Sequence, residues 1–140
     1  MDGGTAGFDD GLDPVVDEIC RSLPEVELGT SWGDLPTYKV RGKGFLLYRP
    51  PHKTAIDPTT GEMYEDLLVV VTPTAAEKAA LVEDPSTPFF TIDHFRNSSA
   101  VLVQRSRLHE LDRDELAEII ADAWAAKAPR TLVRRQFGDD

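Results

Sequence analysis

The run Leu67-Leu68-Val69-Val70-Val71 constrains the fold more than any other feature of this 140-residue chain. Five consecutive apolar residues, three of them β-branched, favour a strand over a surface helix. Because no polar residue alternates with them, both faces of that strand are predicted to be buried. We therefore expect this run to be the central strand of a sheet.

Capping signals predict three helices around that run. The first helix begins at Asp13 and Pro14, a capping carboxylate before a proline at the first helical position, and stops near Pro24. Thr72-Pro73 opens the second by the same device. The third begins at Asp112 with a capping-box arrangement and ends at Pro129. Short β-type runs broken by Gly and Pro predict the other strands at residues 26–32, 37–40, 44–48, 89–91 and 100–105.

The predicted order is α-β-β-β-β-α-β-β-α, which indicates an α+β fold with helices on one face of a mainly antiparallel sheet. Residues 13–137 are interpreted as one domain, because 140 residues correspond to about one domain. Residues 1–12 are rich in Gly and Asp and are interpreted as a flexible N-terminal tail. Cys20, which falls on the apolar face of the first helix, is expected to be a core residue.

The net charge of −10 argues against a protein that coats nucleic acid through its overall field. No apolar window is long enough for a membrane span, and no secretory leader is recognisable. We therefore expect a soluble, cytoplasmic, monomeric protein without a membrane partner. The three histidines and one cysteine show no metal-ligand spacing, and no glycine-rich phosphate loop is present, so no metal or cofactor is expected.

The chain is nevertheless locally basic. Lys39, Arg41 and Lys43 alternate with small or apolar residues around a predicted hairpin turn at residues 41–44, so in a regular strand they project on one face. Aromatic residues at 38, 45 and 48 interleave with them, as a nucleic-acid contact requires. The opposing interpretation is that these bases pair with surface acids. The candidate nucleic-acid-binding residues are Lys39, Arg41, Lys43, Arg105, Arg107, Arg130 and Arg134, with Arg135 as an extension.

A second hypothesis is a module that binds a small molecule or a protein in a pocket. Its aromatic and polar groups are Trp32, Phe90, Thr91, His94 and Trp124. A third alternative is a hydrolase centred on His94. Because Asp93 and His94 point to opposite sides of an extended segment, we favour a structural role for His94, a hydrogen bond to the loop backbone. No catalytic residue is predicted, and the protein is expected not to be an enzyme.

Several segments resemble the MmcQ/YjbR family. The resemblance covers about residues 14–137 and is carried by LPEV at 23–26, KVRGKGF at 39–45, PFFTIDHF at 88–95, AVLV at 100–103, the helix at 116–128 and PRTLV at 129–133. It implies a frataxin-like (CyaY-like) α+β fold with two wing-like β elements, and members are commonly labelled DNA-binding. Acids on the third helix could then correspond to a frataxin iron ridge, but they are better explained as partners of the helix dipole.

Overall fold

The computed structural model describes residues 13–31, 35–49 and 52–138. The predicted tail at 1–12 lies outside these residues. The elements are α1 (Pro14–Arg21), β1 (Val26–Ser31), β2 (Leu35–Val40), β3 (Lys43–Arg49), β4 (Leu67–Val71), α2 (Ala75–Glu83), β5 (Ala100–Gln104), α3 (Arg113–Lys127) and α4 (Arg130–Phe137). Short 3₁₀ helices at Asp93–Phe95 and Arg105–Glu110 flank β5.

The five strands form one antiparallel sheet in chain order, β1-β2-β3-β4-β5. The predicted α+β class and antiparallel sheet are confirmed. The run at 67–71 is β4, and its first four residues are buried, but it is second from the edge and not central. The predicted strand at 89–91 was wrong: only Phe90 bridges Leu102, through two backbone hydrogen bonds of 2.9 and 2.8 Å.

Two apolar clusters cover the two faces of the sheet. On the helix face, alternate residues of β2 to β5 pack with α1 and α3, including Tyr38 and Trp124. On the other face, which we call the loop face, Leu67, Val69 and Leu102 pack under residues from the loops before β4 and β5. β4 is therefore buried on both sides because helices cover one face and loops the other.

The local helix signals were accurate where caps and breakers were clear. The Asp13 carboxylate accepts the N–H groups of Val15 and Val16 at 3.0 and 3.2 Å, and Glu115 accepts the Asp112 N–H at 3.0 Å. The start of α2 was placed two residues early, since Thr74 is its N-cap. Pro129 ends α3 but also precedes α4, which was not predicted.

Lys78 is the buried residue of α2, although its alanines were expected to form the packed stripe. Its side chain is 8% exposed, and its Nζ donates to Phe95 O at 2.7 Å and Ser98 O at 2.6 Å. An ammonium bound by two carbonyls ties α2 to the loop that leads into β5. Its desolvation lowers the pKa of Lys78 below the usual range.

Lys78→Met should lower the free energy of unfolding by about 2 kcal/mol, because it leaves two carbonyls of the loop without their donor. Chemical denaturation measures the loss. Lys127→Met, on α3 without a described ion pair, is the matched control and should change stability by less than about 0.5 kcal/mol. Equal effects of the two substitutions would contradict the role given to Lys78.

Among the described residues, no helix has both the length and the apolar character that a membrane crossing requires.

Candidate functional site

The β2–β3 hairpin places its basic residues in three directions. Arg41 and Gly42 form a two-residue turn with φ of 52° and 82°, the conformation that type I′ hairpins need. Lys39 pairs with Gly44 and Lys43 with Val40, so the two lysines lie on opposite faces of the ribbon. The expectation that all three bases project on one face is therefore not met.

A bulge explains why the aromatic residues of the hairpin are unavailable. Tyr38 pairs with Leu46 and Lys39 with Gly44, so Phe45 is an extra residue in β3. Tyr38, Phe45 and Tyr48 all belong to the helix-face cluster and are buried. Tyr38 donates to Asp17 Oδ1 at 2.7 Å, and the Tyr48 hydroxyl accepts the Asp13 N–H at 3.0 Å. These rings cannot stack on bases without unfolding the core.

Glu25 connects the hairpin turn to α4. Arg41 binds its carboxylate in a bidentate ion pair, with Nη2 donating to Oε2 at 3.0 Å. The pKa of Glu25 lies below its usual value, chiefly because of the Arg41 hydrogen bond, with a smaller contribution from the charge of Arg135. The basic hairpin and the basic helix α4 therefore meet at one end of the sheet.

We call this region the hairpin-end surface and define it by Arg41, Lys43, Arg130, Arg134 and Arg135. Lys43 is exposed at the hairpin end, and Arg130, Arg134 and Arg135 are exposed on α4. Lys39 lies on the opposite face, where its side chain runs beside Gly29. The predicted basic residues form three stretches, at 39–43, 105–107 and 130–135. The structure brings the first and the third together.

The second basic stretch lies at the other end of the sheet. The Arg105 guanidinium stacks 5.0 Å from the Tyr48 ring centroid, and Tyr48 is five residues from Lys43 along β3. At about 3.3 Å per residue this separation is about 16 Å. Arg107 is held by Glu110 in a bidentate pair at 2.7 and 2.9 Å. Arg105 and Arg107 are therefore separate from the hairpin-end surface.

The acids of α3 lie mostly away from the hairpin-end surface. Asp112 precedes the first turn, about 22 Å along the axis from Lys127 at 1.5 Å per residue. Glu118 and Asp122 face α2, where they line a cavity of about 210 Å³ with Glu77. Among the described residues, no group of three His, Cys, Asp or Glu side chains is arranged to hold a metal ion.

Partial desolvation raises the pKa of Asp122 above its usual value although the residue is exposed, and the charges of Glu77 and Glu118 raise it further. A raised folded-state pKa means that the carboxylate destabilises the fold once it is ionised, at neutral pH, and that this cost disappears in acid. Because solvent screens this exposed carboxylate, Asp122→Asn should raise the melting temperature at pH 7 by only about 1 °C. The gain should shrink as the pH falls below about 4.

Thermal melts of the unmodified protein and of Asp122→Asn, from pH 7 to below about pH 4, test the prediction. Asp114→Asn is the control, because this acid lies in the first turn of α3 and complements the helix dipole. It should lower the melting temperature or leave it unchanged. A gain from Asp122→Asn that persists in acid would show that its charge is not the cause.

The residues of the hypothetical aromatic pocket do not come together. Trp124 is fully buried on the helix face, where Nε1 donates to Pro24 O at 3.0 Å. Phe90 packs on the loop face, across the sheet. Trp32 lies outside the described residues. A pocket that joins Phe90 to Trp124 is excluded by the sheet between them.

His94 does not make the expected hydrogen bond to the loop backbone. It is exposed, and within the described part of the chain its ring contact is an edge-on approach to Phe95, with the ring centroids 5.2 Å apart. No carboxylate of residues 13–31, 35–49 or 52–138 orients it. The observed geometry therefore contains no acid–base couple centred on His94.

A cavity of about 540 Å³ does exist on the loop face, between residues 54–64 and 87–93. Phe90 and Thr91, from the predicted pocket, line it, but the sequence did not indicate its other aromatic wall, Tyr64, which lay in a segment without periodicity. Nor did it indicate Arg49, which lies buried behind Thr54. Arg49 could have been placed on the loop face from its spacing, because residues two apart in a strand, here Leu47 and Arg49, share one face of the sheet.

These features define a class of protein: an α+β domain with an antiparallel five-stranded meander, helices on one face and a loop-lined cavity on the other. The YjbR family model matches residues 21–126. The chain belongs to the YjbR family, as the resemblance in its sequence predicted.

The curated relatives align with about two fifths of the chain. The uncharacterized proteins Rv2570 of Mycobacterium tuberculosis (strain H37Rv) and Mb2600 of Mycobacterium bovis are each 42% identical over 57 residues. The match spans 41% of this chain and 42% of each relative's length. No solved structure matches the chain significantly.

Proposed function

We propose that this protein is a non-enzymatic domain that contacts nucleic acid weakly, through phosphates, at the hairpin-end surface. The observation that carries the proposal is the junction at residues 24–25, where Arg41 of the hairpin binds Glu25, and Pro24 O accepts from Trp124, whose ring contacts Phe137 of α4. Two basic segments that are 94 residues apart in sequence thereby form one surface, with Lys43 and Arg130 beside them.

The local charge outweighs the net charge of −10 at short range. At physiological salt, charges farther than about 8–10 Å are largely screened, so a phosphate at the hairpin end responds mainly to the arginines and Lys43. The first-turn acids of α3 lie beyond that distance. The overall negative charge still opposes approach, which makes the contact weak and strongly dependent on salt.

The contact should carry little sequence information. Tyr38, Phe45 and Tyr48 are buried, so stacking on bases is unavailable at the hairpin. Arg41 already binds Glu25 through two hydrogen bonds and serves to position the turn. Exposed lysine and arginine side chains then meet phosphate oxygens, and such contacts position a protein without reading bases.

A salt series on the unmodified protein tests the proposal. Fluorescence anisotropy with a labelled duplex should show binding at low ionic strength, with log affinity falling linearly against log salt. Three to four phosphate contacts correspond to a slope of roughly −3 to −4, at 0.9 per contact. A scrambled duplex of equal length should bind equally well. No binding at low salt, or a slope near zero, would refute the proposal.

A further inference from the structure

The loop-face cavity has a rigid aromatic wall. The rings of Tyr64 and Phe90 lie with centroids 5.0 Å apart at an interplanar angle of 37°. Phe90 is fixed by its two backbone hydrogen bonds to Leu102, and the Tyr64 N–H donates to Ala55 O at 3.0 Å. Both rings remain partly exposed. Aromatic surface held open in this way is suited to stacking on another flat ring.

A buried cation lies behind the same cavity. Arg49 is 8% exposed, and its Nη2 donates at 2.7 Å to the hydroxyl of Thr54, which lines the cavity. Its guanidinium stacks 5.4 Å from the Phe95 ring centroid. In the described part of the chain, Nη1 has no hydrogen-bond partner and no carboxylate pairs with the side chain. A buried guanidinium without an anion is costly, and an anion nearby would relieve that cost.

Arg107 adds a second, oriented guanidinium at the cavity wall. Glu110 binds its Nε and Nη2, which fixes the plane of the group and leaves Nη1 outside that pair. The acid of the lining is Asp93, which is exposed and therefore screened by water. The charge of Asp57 also acts on Tyr64, and Glu110 already pairs with Arg107, so the charge that favours an anion here is that of Arg49, which is buried and screened less.

We propose that this cavity binds a small aromatic carboxylate, with its ring against Tyr64 and Phe90 and its negative charge towards Arg107 and the Arg49–Thr54 pair. The volume of about 540 Å³ is within the range of small-molecule sites. The site is on the opposite face of the sheet from the helices and is independent of the proposed nucleic-acid contact. A ligand of this site therefore needs both a flat ring and a negative charge.

The matched probes are benzoate and benzamide, which share ring and shape but differ in charge. Titration of the ¹⁵N-labelled protein should give saturable amide shifts at Tyr64 and at residues 90–92, with a dissociation constant on the order of 1 mM for benzoate. Benzamide should bind roughly tenfold more weakly. Equal affinities would overturn the charge requirement, and no saturable shift at these residues would overturn the site.

Two variants test whether Arg107 and Arg49 attract the carboxylate of the ligand. Arg107→Gln should weaken benzoate binding roughly tenfold and leave benzamide unchanged, whereas Arg96→Gln, an exposed arginine outside this cavity, should change neither. Arg49→Met replaces the buried cation by an apolar chain of similar length. It should also weaken benzoate binding while the amide spectrum stays that of the folded protein. Unchanged benzoate affinity in both variants would contradict the proposal.

Discussion

Trp124→Ala should lower the free energy of unfolding by about 3–5 kcal/mol, the usual range for removing a large aromatic side chain from a core. Trp124 is completely buried and also supplies a hydrogen bond, from Nε1 to Pro24 O. The substitution leaves a cavity and an unpaired carbonyl. Because small domains are stable by only about 5–15 kcal/mol, this loss is a large share of the total.

Chemical denaturation at constant pH measures that loss in the free energy of unfolding. Two further variants separate the contribution of the Trp124 hydrogen bond from that of the contact with Phe137. Trp124→Phe keeps most of the ring and removes the donor, so it should cost about 1–2 kcal/mol. Phe137→Ala removes the ring that stands edge-on to Trp124 at 5.7 Å but is 52% exposed. It should cost less than about 1 kcal/mol. If Phe137→Ala lowered the free energy of unfolding as much as Trp124→Ala, the packing of α4 and not the burial of Trp124 would be the main source of stability here.

Replacing Lys43, Arg130 and Arg135 together by Gln should reduce duplex binding by roughly a hundredfold or more near 0.1 M salt, because up to three phosphate contacts are lost. Arg41 is left in place, since its pair with Glu25 belongs to the fold. Arg135→Gln alone should make the slope of log affinity against log salt shallower by roughly 0.9. These changes lie on the surface and should leave the melting temperature within a few degrees.

The control for this prediction is an equal change in net charge elsewhere. Gln at Lys53, Arg96 and Arg113 also removes three positive charges, all from exposed positions away from the hairpin end. Affinity should then fall only slightly, through the overall field. Lys39→Gln should have little effect, because Lys39 lies on the opposite face of the hairpin. Equal losses from both triple variants would show that net charge, and not this surface, governs binding.

Local signals predicted the parts of the fold that neighbouring residues determine. Asp13 with Pro14, and Asp112 with Glu115, were sufficient to place the starts of α1 and α3, because a cap is decided within one turn. The apolar run at 67–71 was sufficient for β4.

The remaining features depend on contacts between distant segments. The two-residue turn at Arg41 and Gly42 pairs Lys43 with Val40, so Lys39 and Lys43 lie on opposite faces, which their spacing along the chain did not reveal. Phe90 and Trp124 are separated by the sheet, which no local pattern reveals. The loop-face cavity joins residues 54–64, which have no helical or strand periodicity, to residues 87–93, where the strand pattern at 89–91 gives a single bridge.

The strand order of the sheet has a consequence for synthesis on the ribosome. Among the strands that the structure describes, neighbours in the sheet are neighbours in sequence, so β1 to β3 can assemble as soon as residues 26–49 have emerged. Trp124, however, bonds to Pro24 across 100 residues of chain. The apolar face of the nascent sheet therefore lacks its α3 cover until the last helices are translated. During that interval the chain is most exposed to aggregation and to chaperones.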